Sequence, residues 1–139
     1  MNLEQFADNM RKSVMAKIRT LKAMDGITIA VGIDPSAKYP DGKSVAEVAE
    51  LVEYGTRYMP PRPFMRNAKA EKEASWRGML RRAVARSVKD GTPIGTLLVP
   101  IAERMKSDVQ ESVMAEGAYR TGRLHDSVIA SVGTGTGGL

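Results

Sequence analysis

His125 and Asp126 stand side by side, a pairing that serves metal-dependent phosphohydrolases. That chemistry needs several further imidazoles, and His125 is the single histidine of the chain. The pair therefore reads as a surface turn or the start of a helix. Glu47, Glu50 and Glu53 are spaced by three, which on a helix brings carboxylates within reach of one another for acid–base or Mg²⁺ chemistry. No partner motif accompanies them, and the expectation is a solvated helix face. The run from Gly133 to Gly138 is rich in glycine but lacks the lysine and the following helix of a phosphate-binding loop. The chain has no cysteine, so disulfides, thiolate nucleophiles, thiolate zinc sites and iron–sulfur clusters are excluded. The expectation is a protein that is not an enzyme and holds no cofactor or metal.

Positive charge is the stronger signal. The formal net charge is +5, and the segment Phe64–Asp90 carries all of it, with eight basic residues against three acidic ones. Within it, Arg77, Arg81, Arg82, Arg86 and Lys89 form a basic face suited to phosphates or to an acidic protein surface. Trp76, which falls on an apolar stripe, is the one nearby ring that stacking on bases would need. No helix-turn-helix, zinc-finger or RNA-recognition signature is present. A solvated helix face remains the plainest reading of these cations.

The elements that must position these residues follow from periodicity. Leu3, Phe6, Met10, Val14, Ile18 and Leu21 recur every three or four places, which predicts an amphipathic helix over 3–24, stopped by Asp25-Gly26. The period then drops to two through Ile27, Ile29, Val31 and Ile33, a strand. Residues 34–43 read as a loop. Ser44 with Glu47 makes a capping box for a helix over 45–53 that turns Val45, Val48 and Val52 inward. A long helix spans 64–89 on a stripe of Trp76, Leu80, Val84 and Val88, widened by Met79 and Ala83, and Asp90-Gly91 ends it. Thr92-Pro93 restarts a helix as N-cap and first-turn proline, and Ile94, Leu97, Leu98, Ile101, Met105, Val109 and Val113 carry it to about 115. Pro100 inside that pattern either kinks the helix or marks its true start. Residues 128–132 read as a strand, and 133–139 as a flexible Gly/Thr tail.

With 139 residues, 42% of them hydrophobic but only 5% aromatic, the chain suits one α+β domain over 1–132 with an aliphatic, Met-rich core. No apolar run approaches the roughly 20 residues that span a bilayer. The opening Met1-Asn2-Leu3-Glu4 lacks a basic and apolar leader, so a cytoplasm-like compartment is expected.

Between the second and third helices lies Tyr58-Met59-Pro60-Pro61-Arg62-Pro63-Phe64, with three prolines in four residues. Proline on this scale forbids helix and central strand, and the segment must be extended and stiff. It is either a rigid connector or an arm that presents Tyr58, Met59, Arg62 and Phe64 to a neighbouring chain.

Two motifs then resemble a known family. Glu53-Tyr54-Gly55-Thr56 closes a helix and Pro61-Arg62-Pro63-Phe64 opens a longer one. Thr121-Gly122-Arg123-Leu124-His125-Asp126-Ser127-Val128 follows near the C-terminus. In this order, over roughly residues 1–132, they resemble the small neck, tail-completion or minor tail proteins of long-tailed bacteriophages and prophages. The resemblance implies an α+β fold with a small, mostly antiparallel sheet packed on a long helix. It also implies assembly of the chain with itself into a ring, usually sixfold, between the head connector or head-completion proteins and the tail tube or tail terminator. Such a chain belongs to the virion, after assembly in the host cytoplasm. By the same resemblance Tyr54, Gly55 and Thr56 form a structural turn. Tyr58 to Phe64 are the expected subunit interface, with Arg62 and Phe64 fixing the arm onto its own or a neighbouring subunit, and Thr121, Gly122, Leu124 and Ser127 start the last strand. A basic nucleic-acid-binding accessory protein of a phage or mobile element is the alternative, and transient contact with packaged DNA is compatible with both.

Overall fold

The computed structural model describes residues 2–118 and 120–133. Its first element is α1 (Leu3–Ala23), entered through a capping box in which Asn2 accepts from the Gln5 N–H and Gln5 reaches back to the Asn2 N–H. Strand β1 (Thr28–Ile33) follows, then α2 (Val45–Tyr54), α3 (Phe64–Asp90), α4 (Ile94–Ala115), the single turn α5 (Arg123–Asp126) and β2 (Val128–Gly133). The fold is α+β, with a two-stranded antiparallel sheet in which Thr28 pairs with Gly133 and Ile33 with Val128. The sheet packs on α4, and α4 packs along α3.

Alternation in β1 and β2 decides which face is buried. Ile29, Val31 and Ile33 lie opposite Val132, Ala130 and Val128, and this face meets the helices. Two apolar clusters result. The larger joins Val45, Ala49, Phe64, Ala68, Val109, Val113, Leu124 and Val128; the smaller joins Ala83, Leu98 and Ile101. Beyond the named strands, residues 34–63 contribute only the isolated bridges Lys38–Ser44 and Thr56–Met59 among the described residues.

Several expectations need correction. Along α3 the buried line is Phe64, Ala68, Ala83 and Ser87, while Leu80 is 39% exposed. Small side chains at Ala83 and Ser87 let α4 approach closely, and the bulkier Leu80 and Val84 are displaced to one side of the contact. Thr92 does not cap α4. Its hydroxyl and its N–H both turn back to Asp90 Oδ1, and Pro93 stands at the cap without a side-chain hydrogen bond. Those bonds from Thr92 hold the Asp90 carboxyl below its ordinary range, so their support of the turn is present above that range and fades as pH falls. Gly91 ends α3 at φ 75°. Pro100 lies well inside α4, so it does not mark the helix start. Ser44 accepts from the Glu47 N–H, as expected of a cap. Of the tail expected over 133–139, Gly133 ends β2 and the rest lies outside the described residues.

Phe64 is 2% exposed and sits at the centre of the larger cluster. Phe64→Ala should therefore lower stability by about 3–5 kcal/mol, as truncation of a buried phenylalanine does. A thermal or urea unfolding curve will read this directly, and near-wild-type stability would contradict the packing.

Candidate functional site

The family-like segment is built around a buried carboxylate. Glu53 is 5% exposed, although a solvated position was expected for it; Glu47 and Glu50 are exposed. Placed in the last turn of α2, Glu53 aims at the start of α3. Its Oε2 accepts the Met65 N–H at 2.8 Å and its Oε1 the Arg66 N–H at 2.9 Å. A helix start leaves its first N–H groups without intrahelical partners and carries partial positive charge. Pro63, at the cap position of α3, makes no side-chain cap bond. Glu53 thus caps α3 from a different helix.

Arg66 completes the arrangement. Its Nε donates to Glu53 Oε1 at 3.0 Å and its Nη2 to the Glu53 carbonyl at 2.7 Å. Its guanidinium carbon lies 4.7 Å from the centre of the Tyr54 ring, a cation–π distance. One arginine therefore satisfies both ends of Glu53 and covers the aromatic residue next to it.

Between the two helices the chain makes a tight hairpin. Gly55 has φ 76°, and a Cβ there would lie 2.7 Å from Pro61 N and 2.9 Å from Met59 O. Only glycine fits, which is the physical content of the Tyr54-Gly55-Thr56 turn. The Thr56 N–H donates to Met59 O at 2.8 Å. The Arg62 N–H donates to Val52 O at 2.7 Å, and its guanidinium donates to Gly117 O. Ser112 bonds the Phe64 carbonyl from α4.

The residues expected at a partner interface therefore separate into two groups. Phe64 belongs to the chain's own core, and Arg62 is engaged by its own chain. Pro60 and Pro61 are exposed, Met59 and Pro63 half-buried. Tyr58, at the hairpin tip, is 87% exposed, with Arg57 over its ring at 5.3 Å. What this segment offers to solvent is the tip, not the whole arm.

The second motif is not the start of the last strand. Gly122, buried and at φ 82°, sets up the single turn of α5. Leu124 enters the core at 5% exposure, and the Ser127 hydroxyl turns back to Arg123 O at 2.6 Å. Thr121 is exposed, its hydroxyl accepting the Arg123 N–H. The Ser127 carbonyl accepts the Asp34 N–H at 2.8 Å, and Arg123 donates to Lys38 O at 3.1 Å. This motif pins the loop after β1; β2 begins one residue later. His125 Nδ1 lies 2.9 Å from Asp126 Oδ1, and among the described residues no group of three or more His, Asp or Glu could hold a metal ion.

Of the basic face, Arg77 pairs with Glu73 at 2.7 Å and Arg86 with Asp90 at 3.5 Å, both pairs exposed. Arg81, Arg82 and Lys89 are also exposed. Arg82 and Arg86 border a shallow groove with Met79, Leu97 and Pro100. Trp76 is half-buried against the larger core cluster, and its indole N–H donates to the buried Asp108 at 2.7 Å, which Arg104 also contacts at 3.2 Å.

One surface went unread as such in the sequence. The apolar stripe of α1 is not buried: Leu3 is 84% exposed, Phe6 54%, Met10 52%, Val14 49% and Leu21 49%. The periodicity marked a helix with one apolar face, but periodicity alone does not say whether the same chain covers that face. No helix among the described residues is long and apolar enough to cross a membrane.

Comparison with protein-family models, with curated proteins and with solved structures finds no match.

Glu53→Ala should cost about 1–3 kcal/mol, because it leaves two first-turn N–H groups of α3 without their acceptor. Arg66→Ala, at the solvent edge, should cost less. Urea unfolding of the single and double variants should give a coupling energy clearly different from zero; additive losses would rule out the clamp.

Proposed function

We propose that this chain is a non-enzymatic structural subunit of a tailed-phage particle, of the neck or tail-completion kind, which joins tail to head as part of a ring. The reading rests on the two motifs and their order. What adds to it is the exposed face of α1, whose six large apolar side chains from Leu3 to Leu21 stand uncovered in the isolated chain. A single domain rarely leaves so continuous an apolar surface to water unless another surface covers it. The hairpin tip with Tyr58 supplies a second, rigid point of contact, since proline and Gly55 fix its path before any partner arrives.

A basic nucleic-acid-binding accessory role is the second reading. It draws on the exposed Arg81, Arg82 and Lys89, with Arg77 and Arg86 beside them. Binding to duplex DNA that weakens steeply with salt would favour it.

Particles purified from an induced lysate of the source cells should contain the chain at a fixed, low copy number. Its absence from tail-bearing particles would reject the neck reading. Tyr58→Ala should leave the unfolding midpoint within about 0.5 kcal/mol of wild type, as surface changes do, while reducing the yield of joined particles.

A further inference from the structure

The α1 face has a feature beyond its exposure. Its stripe, Leu3, Phe6, Met10, Val14, Ile18 and Leu21, is spaced three, four, four, four, three. The spacing reads the same in both directions. Two copies of α1 laid antiparallel about a twofold axis therefore place Leu3 against Leu21, Phe6 against Ile18 and Met10 against Val14, with every layer apolar. We propose that the free chain forms a twofold dimer through antiparallel α1 helices. This pairing does not depend on the neck assignment.

Charge selects the same arrangement. Glu4, Arg11 and Lys22 lie on one flank of the stripe, roughly 100° round from it by helix geometry. A twofold axis across the pair brings that flank against its own copy in reverse. Glu4 then faces the last turn of the other helix, within about 3 Å along the axis of Lys22. Arg11 comes near Arg11 of the other copy by the same geometry, and Asp8, bridged to it at 3.2 Å in its own helix, offsets that like charge. A parallel pair would instead turn that flank toward the opposite one, where Asn2, Asn9, Ser13 and Thr20 offer Glu4 and Lys22 no opposite charge. Each helix's charges also suit its own dipole, but only an antiparallel neighbour uses them a second time.

Shape and area agree. Leu3 is the most exposed of the stripe at 84%. In the pair it meets Leu21 at the mouth of an open groove of about 700 Å³ lined by Ile18, Leu21, Met24 and Val84, between α1 and α3. The six apolar residues of the stripe, 37–84% exposed, represent on the order of 600 Å² per copy, and twice that in the dimer, which reaches the lower end of the range of specific interfaces. An anionic bilayer is the less suited occupant. Helices that lie on such surfaces carry basic flanks along their length, whereas the first two turns of α1 carry only Glu4 and Asp8 as charges.

The absence of cysteine makes the test clean. Single variants Met10→Cys and Val14→Cys, both on the exposed helix, are purified, mixed and oxidised, with light scattering of the wild-type chain alongside. The expected result is a dimer mass at micromolar concentration, with a disulfide-linked pair that forms efficiently in the mixture and poorly in either variant alone. Glu4→Lys or Lys22→Glu should each weaken the dimer about tenfold, since each acts twice across the axis, and the combined exchange should restore it. A monomer up to hundreds of micromolar would overturn the proposal. So would crosslinking within each variant but not between them, which marks a parallel pair. So would a ring-sized oligomer without the mixed disulfide. Tight binding of monomers to vesicles of three parts neutral to one part anionic phospholipid would assign the face to a membrane instead.

Discussion

The Glu53 carboxylate is the constraint on which the arrangement of helices depends. It lies in the last turn of α2, is buried, and is bound by two N–H groups of the first turn of α3. Burying a carboxylate is costly unless charge and hydrogen bonds compensate it. Here compensation comes from the start of one helix, from Arg66, and from the fixed path between them. Because Glu53 and its donors, the Met65 and Arg66 N–H groups, are linked by only about ten residues, the loop has to return the chain to within hydrogen-bonding distance of where it left. Gly55 permits the reversal, and Pro60, Pro61 and Pro63 remove alternative paths from the unfolded ensemble. The Arg62 N–H bond to Val52 O locks the return strand beside the end of α2. Phe64 then enters the core as the first residue of α3, and Ser112 ties its carbonyl to α4.

Much of this framework was legible in the sequence. The helical and strand periods located the major elements, because each buries one face and therefore repeats at 3.6 or 2 residues. The α+β class follows from that order, while the antiparallel sheet against a long helix was what the resemblance implied. What could not be read were choices made between elements. Glu53 occupies a position that looks solvated on an isolated helix, and it is buried only because another helix begins above it. Phe64 follows three prolines and looks like part of an exposed arm, yet the same prolines deliver it inward. In α3 the larger residues were expected to mark the buried line, but close helix approach favoured Ala83 and Ser87. Thr92 had two hydrogen-bonding options, α4 and Asp90, and local sequence does not choose between them.

The candidate surfaces show the same division. The turn at Tyr54-Gly55-Thr56 was expected from the resemblance, and its physical reason, a positive φ and a close backbone approach at Gly55, shows only in the fold. The Thr121–Ser127 motif was readable as a structural element but not as a helical turn, because its role is to hold Asp34 and Lys38, far away in sequence. Thr121, exposed where Gly122, Leu124 and Ser127 are buried, still serves the turn by accepting the Arg123 N–H. Both family-like motifs therefore do intrachain work before they do anything else.

That observation bears on where recognition resides. Residues that clamp α2 to α3 or the β1 loop to α5 are already committed, and a partner could use them only by dismantling the fold. Surfaces free for recognition are those the core does not need: the hairpin tip at Tyr58, the cations of α3, and the apolar face of α1. Of the three, α1 has the largest driving force, because covering apolar area is favourable in proportion to the area removed from water, whereas exposed cations contribute through screened and long-range attraction. None of α1's residues is buried, and none belongs to either core cluster. Its apolar stripe is thus a surface whose stability and specificity are both set by what covers it. Charge reversal along its flank is what turns a sticky face into one with a preferred orientation.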